Sequence, residues 1–337
     1  MIHTPMIARI ALILVPLCLH SAASTAGFLK KPDEWFSSAE GRRTSACILS
    51  WQSGHGSWPK NQETTRSEFN GDRSQIKGTF DNGATTDELR FLARSFRVTE
   101  DKRCLAALQK GIDHILEAQY PNGGWPQYFP LSKQYHRHIT YNDNCMVRVM
   151  EFLREVATSD GFGFLDQERR RAAGMAFERG LDCIVKTQIV VRGTPTVWCA
   201  QHDEITLAPA PARSYELPSL SGSESAGILL LLMSVENPSP GIVRAVKAGA
   251  AWFESAKLEG IRVEQTDGDR RVVKDPSAPP LWARFYGVET NRPFFCDRDG
   301  VKKDALSEIG VERRNGYAWY GNWGIAVAKA YDQWPHR

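Results

Sequence analysis

Excess charge of one sign is missing from this chain. Its 337 residues carry 42 Lys+Arg against 39 Asp+Glu, a formal net charge of +3. Nucleic-acid-binding domains show a marked basic excess, so this balance argues against nucleic acid as a partner. None of the seven cysteines sits in a C-x-x-C pair, which leaves a zinc or dithiol redox motif unsupported. No apolar run reaches membrane-spanning length. The run at residues 7–19, IARIALILVPLCL, is broken by Arg9 and Pro16 and falls short of the roughly 20 residues a bilayer requires. Strand-like alternation is scarce, with residues 261–274 the best candidate for a hairpin. With 42% hydrophobic and 24% charged residues, the composition excludes collagen, a disordered tail and a disulfide mini-scaffold. What the chain does have is ten Trp and 27 Gly, a combination common where flat, polar, ring-shaped ligands are bound.

The run at 7–19 has a basic start and is followed by HSAASTAG. A short apolar core ahead of small residues reads as a secretory signal over residues 1–26, with cleavage after Ala23 or Ala26. The mature protein is then expected in the periplasm or outside the cell, with no membrane anchor. Cys18 lacks the small residues that precede a lipidated cysteine. Six cysteines remain: Cys47, Cys104, Cys145, Cys183, Cys199 and Cys296. An even count in a secreted chain permits disulfides. Cys104, Cys145 and Cys183 lie inside apolar helical stretches, however, which favours buried free thiols.

A degenerate repeat organises the rest. The segments SWQSGHGSWPKN, EAQYPNGGWPQY and KTQIVVRGTPTVWCAQ each place a Gln at the end of an apolar-periodic stretch, then a Gly-bearing turn, then a Trp. The tryptophans are Trp58, Trp125 and Trp198. A period of about 70 residues has room for two helices and their loops. Helical spacing supports this at 87–99 and 103–119, at 144–157 and 168–188, and at 223–235 and 240–256. On the second of these stretches Leu105, Leu108, Ile112, Ile115 and Leu116 are expected to share the apolar face. The expected architecture is all-α, an (α/α)3 toroid with irregular loops and a minor β-hairpin. Length alone suggests two domains, but the repeat runs through the mature chain and predicts one domain over 27–337.

Five loop segments could carry chemistry. Asp81 and Asn82, in TFDNGATTDELRFLA, precede a helix, as do Asn142, Asp143 and Asn144, in HITYNDNCMVRVM. One such residue per loop is explained by helix capping, but two D-N motifs at corresponding loop ends also make an oxygen-donor site for a hard cation such as calcium. Arg213 follows the stiff lead Pro-Ala-Pro-Ala and reads as either a solvated cation or a guanidinium positioned to face an anion. Arg284, Arg292 and Arg298 alternate with Trp282, Phe285, Tyr286, Phe294 and Phe295, a pattern suited to an anionic sugar polymer because guanidinium matches carboxylate bidentately. The aromatics of ERRNGYAWYGNWG, residues 312–324, either stack on sugar or close the fold, and closure is favoured.

The segments DNGATTDELRFLAR, NGGWPQYFPL, HITYNDN, ARSYELPSLSGSES, LWARFY, NRPFFCDRDGVK and ERRNGYAWYG together resemble the family 10 polysaccharide lyases, which are pectate lyases. The resemblance implies an α/α toroid and calcium-assisted β-elimination of polygalacturonate. By the same resemblance Asp81 and Asp143 are associated with Ca2+, Arg213 is the base, and Arg284 and Arg298 hold substrate carboxylates. Asn82 is a weaker neighbour of cation or sugar, and Lys60 a substrate contact. The chain departs from the family pattern at QSGHGSWPKN in the first turn and at Cys145 after Y-N-D-N. A monomer acting on polygalacturonate is expected. Two other classes remain open on the residues alone. A glycoside hydrolase would draw its acid and partner from Glu204, Glu216 and Glu224, and a non-catalytic acidic-sugar-binding protein would yield no product.

Overall fold

Apolar residues at helical spacing, punctuated by Gly, Pro and capping side chains, fold into successive helical hairpins. The structure, a computed structural model, describes residues 25–337. The expected leader lies outside the described residues except for Thr25 and Ala26. Three short or medium helices come first: α1 (Thr25–Phe28), α2 (Asp33–Ser37) and α3 (Ala39–Ser50). Three hairpins follow: α4 (Thr86–Thr99) with α5 (Lys102–Glu117), α6 (Cys145–Thr158) with α7 (Gln167–Thr187), and α8 (Glu224–Met233) with α9 (Pro240–Ala256). The chain ends with α10 (Val311–Asn315) and α11 (Trp323–Gln333). Asp101, Asp166 and Ser239 each cap the second helix of a hairpin by accepting a main-chain N–H from its first turn.

The three hairpins lie side by side. The first helices contact one another in the order α4, α6, α8, and the second helices in the order α5, α7, α9. Helix α11 packs on α8 and α9, while α2 and α3 pack on α4. The joint between the two helices of each hairpin repeats. Gly111, Gly180 and Gly249 recur at an interval of 69 residues, and a Cβ on any of them would lie within 3 Å of Leu89, Met150 or Leu229 side-chain atoms. Glycine there lets the partner helix's side chains pack against the backbone, and any larger residue would make those side chains shift. The apolar face of α5 is rotated slightly from the expected one. Cys104, Leu108, Ile112 and Ile115 are fully buried, whereas Leu105 and Leu116 are only partly buried at its edge.

The Gln–Trp repeat has a direct structural counterpart. Trp58, Trp125 and Trp198 are fully buried, and their indole N–H groups donate to the carbonyls of Ile48 (2.7 Å), Ile115 (2.8 Å) and Ile184 (2.7 Å). Trp282 makes the same bond to Phe253 (2.8 Å) and marks a fourth, unforeseen copy. Each Gln ties its own loop to a second helix. Gln52 donates to Gly56 and Ala107, Gln119 to Gly123 and Ala176, and Gln188 to Thr196 and Ala245.

Strands are few and short. The expected hairpin is present, with Ile261–Thr266 paired to Asp269–Lys274. Its two-residue turn, Asp267 (φ 52°) and Gly268 (φ 76°), has the positive φ values that such a turn demands. Two-residue pairs stitch the loops together: Ile139–Thr140 with Gln201–His202, Leu220–Ser221 with Phe285–Tyr286, and Trp282–Ala283 with Tyr320–Gly321. A second, smaller core of Tyr215, Phe285, Phe294, Phe295, Leu306, Ile309 and Trp319 lies among these loops. The aromatics that alternate with arginine are thus interior: Trp282, Phe285, Tyr286, Phe294 and Phe295 are all buried and offer no face to a sugar. Trp319 is buried too, in line with the closing role. The six described cysteines are free and buried, and no helix among the described residues is long and apolar enough to cross a membrane.

Candidate active site

The site grows from the turns that enter the first helix of each hairpin. The N–H of Thr79 donates to the carbonyl of Trp58 (2.9 Å), that of Thr140 to Trp125 (3.0 Å), and that of Ser221 to Trp198 (2.8 Å). Each turn also leans on the next copy. Phe80 donates to the Gln127 carbonyl, Asn142 to that of Ala200, and Gly222 to that of Arg284. The residue two beyond each repeat tryptophan is therefore brought to the site: Lys60, Gln127, Ala200 and Arg284. That offset is the signal that would have found Gln127, which the sequence reading passed over.

The two D-N turns share one backbone form but carry their acids in different places. Asp81-Asn82-Gly83 and Asn142-Asp143-Asn144 are both single 3-10 turns, and both hold their middle residue in the left-handed region. Asp81 is the first residue of its turn and is buried, whereas Asp143 is the second and its side chain is 40% exposed. The two turns pack against each other. Cys145 lies beneath them, its thiol pushed far up by burial and then by the two carboxylates.

Lys60 and Gln127 (2.7 Å) both donate to Oδ2 of Asp81. Burial pulls the Lys60 ammonium down, but the bond to Asp81 outweighs it and the net direction is upward. Oδ1 of Asp81 is buried and finds no partner. Asn82 is exposed and lines a cavity of about 350 Å³ with Lys60, Asp87 and Glu88.

Arg284 is the hub on the other side. One of its terminal nitrogens donates to Asp143 (3.1 Å), to the Asn142 side-chain oxygen (3.1 Å) and to Glu224. Its Nε is buried and unpartnered. Its guanidinium lies 4.7 Å from the centre of the Tyr317 ring. Burial works against the charge, but Glu224, Tyr317 and Asp143 hold it well above its ordinary value. Arg213 lies over Tyr215 (4.9 Å) and Tyr317 (5.6 Å). It makes a bidentate pair with Glu216, through Nε (2.7 Å) and Nη2 (2.5 Å). The anion it faces is therefore its own near neighbour, and this pairing raises the guanidinium far above its usual range. Tyr317 also donates to Glu216 (2.7 Å). Arg298 is 64% exposed, pairs with Glu312 (2.9 Å) and reaches Tyr215 at 5.9 Å. Arg313, absent from the sequence reading, is buried against Tyr215 at 4.6 Å.

The structure thus gathers Lys60 with Asp81, and Asp143 with Arg284. Arg213 joins Arg284 through Tyr317 and Arg298 through Tyr215. The donor set suits a hard cation in one respect: Asp81 presents a buried, unbonded carboxylate oxygen beside a turn whose neighbour carries Asp143, and such oxygens are what calcium takes. The compact trio of metal-capable side chains among the described residues is a different one, His138, Asp203 and Glu204. Glu204 is already held there by Arg137 and by His138 (2.9 Å).

The pectic acid lyase family model matches residues 52–328. The family 10 polysaccharide lyase from Cellvibrio cellulosa is similar in structure, with a TM-score of 0.83 and 34% identity over 94% of this chain and 97% of that one. A mutant form of that lyase, in complex with trigalacturonic acid, is similar at a TM-score of 0.82 with the same identity and coverage. No curated protein sequence matches the chain.

Proposed function

The chain belongs to the pectic acid lyase family, within the family 10 polysaccharide lyases, and from that membership we propose that it cleaves α-1,4-linked polygalacturonate by β-elimination. The observation that carries the reading is the stack of Arg213, Tyr317 and Arg284 set beside the Asp143 carboxylate. Such a stack offers planar, fixed cations to a uronate carboxylate.

Galacturonate carries a carboxylate on C5 and the leaving oxygen on C4. The C5 proton is hard to remove because the carbanion forms next to a negative group. Asp81 and Asp143 would hold Ca2+, which when bound neutralises the uronate carboxylate and acidifies that proton. Arg284 and Arg298 orient substrate carboxylates, with Lys60 as a further substrate contact. Arg213 takes the C5 proton, the C–H electron pair becomes the C4–C5 double bond, and the C4–O pair leaves with the departing chain, which takes up a proton from water. The product end is a 4,5-unsaturated uronate.

Arg213 must be neutral to accept that proton, and Glu216 opposes neutrality. The reaction therefore requires the Arg213–Glu216 pair to open as the polyanion enters, with Tyr317 keeping its bond to Glu216. A hydrolase reading is disfavoured by the same geometry. A general acid needs a raised carboxyl, yet two of its three candidates, Glu204 and Glu216, are held below the ordinary value, because burial is outweighed by the bonds of His138 and Arg137 to Glu204 and of Arg213 to Glu216. We take the hairpin array to be an incomplete α/α toroid, and the protein to work as a secreted monomer after signal removal.

The test is incubation with polygalacturonate while following ultraviolet absorbance, with and without a calcium chelator. Growth in absorbance that chelation abolishes is expected. Chain shortening without absorbance would establish hydrolysis, and no product at all a binding protein.

A further inference from the structure

A cavity of about 610 Å³ opens beside the site, between the first repeat turn and the loop that follows Trp125. Its charged lining residues are Lys77 and Lys133, with His55 and His136 beside them and no carboxylate. Four other cavities on the surface each carry at least one carboxylate: Glu168 and Glu178, Glu289, Glu68, or Asp87 and Glu88. This cavity is thus suited by charge to an anion and by volume to a sugar-sized ligand. Hydroxyl groups of Ser57 and Tyr128 are also on its wall.

The cavity is joined to the reacting centre by main-chain structure. The Gln127 N–H donates to the His136 carbonyl (2.9 Å), and the Gln127 side chain donates to Asp81. His136 stacks on Tyr135, ring centres 3.9 Å apart, and meets Tyr128 edge-on at 5.0 Å. Tyr128 and His136 thus form an aromatic wall of the cavity, with Tyr135 stacked on His136. A polymer lying on Arg213 and Arg284 has further residues on either side of the reacting bond, and this wall supplies a floor for them.

We propose that this cavity is a distal subsite, which takes a further galacturonate residue of the same chain through its carboxylate on Lys77 and Lys133. The inference rests on the polygalacturonate reading. The segment QSGHGSWPKN, where the sequence departs from the family pattern, contributes Ser53, His55 and Ser57 to the lining, and the two lysines come from outside it. Occupancy ties up two flexible cations per uronate, each worth up to about fivefold in affinity.

The experiment compares the wild-type protein with Lys77→Ala/Lys133→Ala and with Lys77→Glu/Lys133→Glu. Each is assayed by ultraviolet absorbance on trigalacturonate and on polygalacturonate, with melting temperature as the check on folding. The expected result is a KM on the polymer raised by about tenfold in the alanine variant and more in the glutamate variant, with kcat/KM on the trimer unchanged. Equal loss on trimer and polymer would overturn the proposal, as would no loss on either. Absence of unsaturated product from the wild type would instead sink the lyase reading on which it rests.

Discussion

Asn82 and Asp143 occupy the same backbone state, at φ 54°, ψ 28° and φ 52°, ψ 32°. Each is the middle residue of the turn that leads to its hairpin's first helix. Asn and Asp are the side chains, after glycine, that best tolerate this left-handed region. Asp143→Asn therefore keeps the turn and removes only the charge. Its melting temperature should stay within about 2 °C of the wild type. Turnover of polygalacturonate should fall by about 100-fold or more, the scale of losing one electrostatic stabiliser. A fully active variant in the absorbance assay would remove Asp143 from the cation site.

The Arg213–Glu216 pair sets the pH response. Glu216 raises the guanidinium, so Glu216→Gln lowers it, and the proton-accepting form of Arg213 is reached at lower pH. The rising limb of kcat/KM against pH should move toward acid in that variant. Arg213→Ala should lose at least about 100-fold. Arg213→Lys should also be poor because a point charge replaces a planar fork. Near wild-type turnover by Arg213→Ala would exclude it as base.

Glu88 links stability to pH. Its carboxyl is fully buried, accepts from the Thr85 N–H (2.8 Å) and the Thr64 hydroxyl (3.2 Å), and is pushed up to about 7 by burial, from an ordinary 4.5. The folded state keeps this proton longer than the unfolded chain does. The stabilisation is thus full below pH 4.5 and is lost as pH rises through about 7, amounting to about 3 kcal/mol. Glu88→Gln should flatten the melting temperature across that window, measured by calorimetry at pH 5 and pH 8. An unchanged slope would show that Glu88 ionises in the fold as it does in water.

Trp125→Phe tests the repeat. The ring is retained, but the N–H donated to Ile115 is lost and a buried carbonyl is left unpaired. A loss of about 1–3 kcal/mol in urea unfolding is expected, with no change in the denaturant slope.

The hairpins were legible in the sequence because helical periodicity and the Gln–Trp pair are local signals. The fourth copy at Trp282 was not, because it lacks the Gln and stands 29 residues after its helix partner Phe253, where Trp58 and Trp125 stand 10 after theirs. Gly111, Gly180 and Gly249 also went unread, although their 69-residue interval is stricter than that of the tryptophans. A glycine inside a helix carries no periodic hydrophobic signal. At the site, Asp81 and Asp143 could be singled out because they sit in short polar motifs, and Arg284 because it alternates with aromatics. Gln127 was marked only by its offset of two from Trp125, and Arg313 by nothing local, since a surface-looking arginine acquires its role only from what the turns bring beside it. The aromatics around Arg284 illustrate the reverse error. Alternation with charge looked like a sugar platform, but the loops between them form a core of their own.

Each cation proposed to act around the reacting bond already carries a carboxylate of the protein: Lys60 has Asp81, Arg213 has Glu216, Arg284 has Asp143 and Glu224, and Arg298 has Glu312. The free cleft is in effect occupied by an internal mimic of its ligand. Binding the polymer is then an exchange of anions rather than the filling of a positive hole. A polyanion of equal charge but different spacing can displace one of these carboxylates without displacing the others, and it leaves the rest of the lattice closed against it.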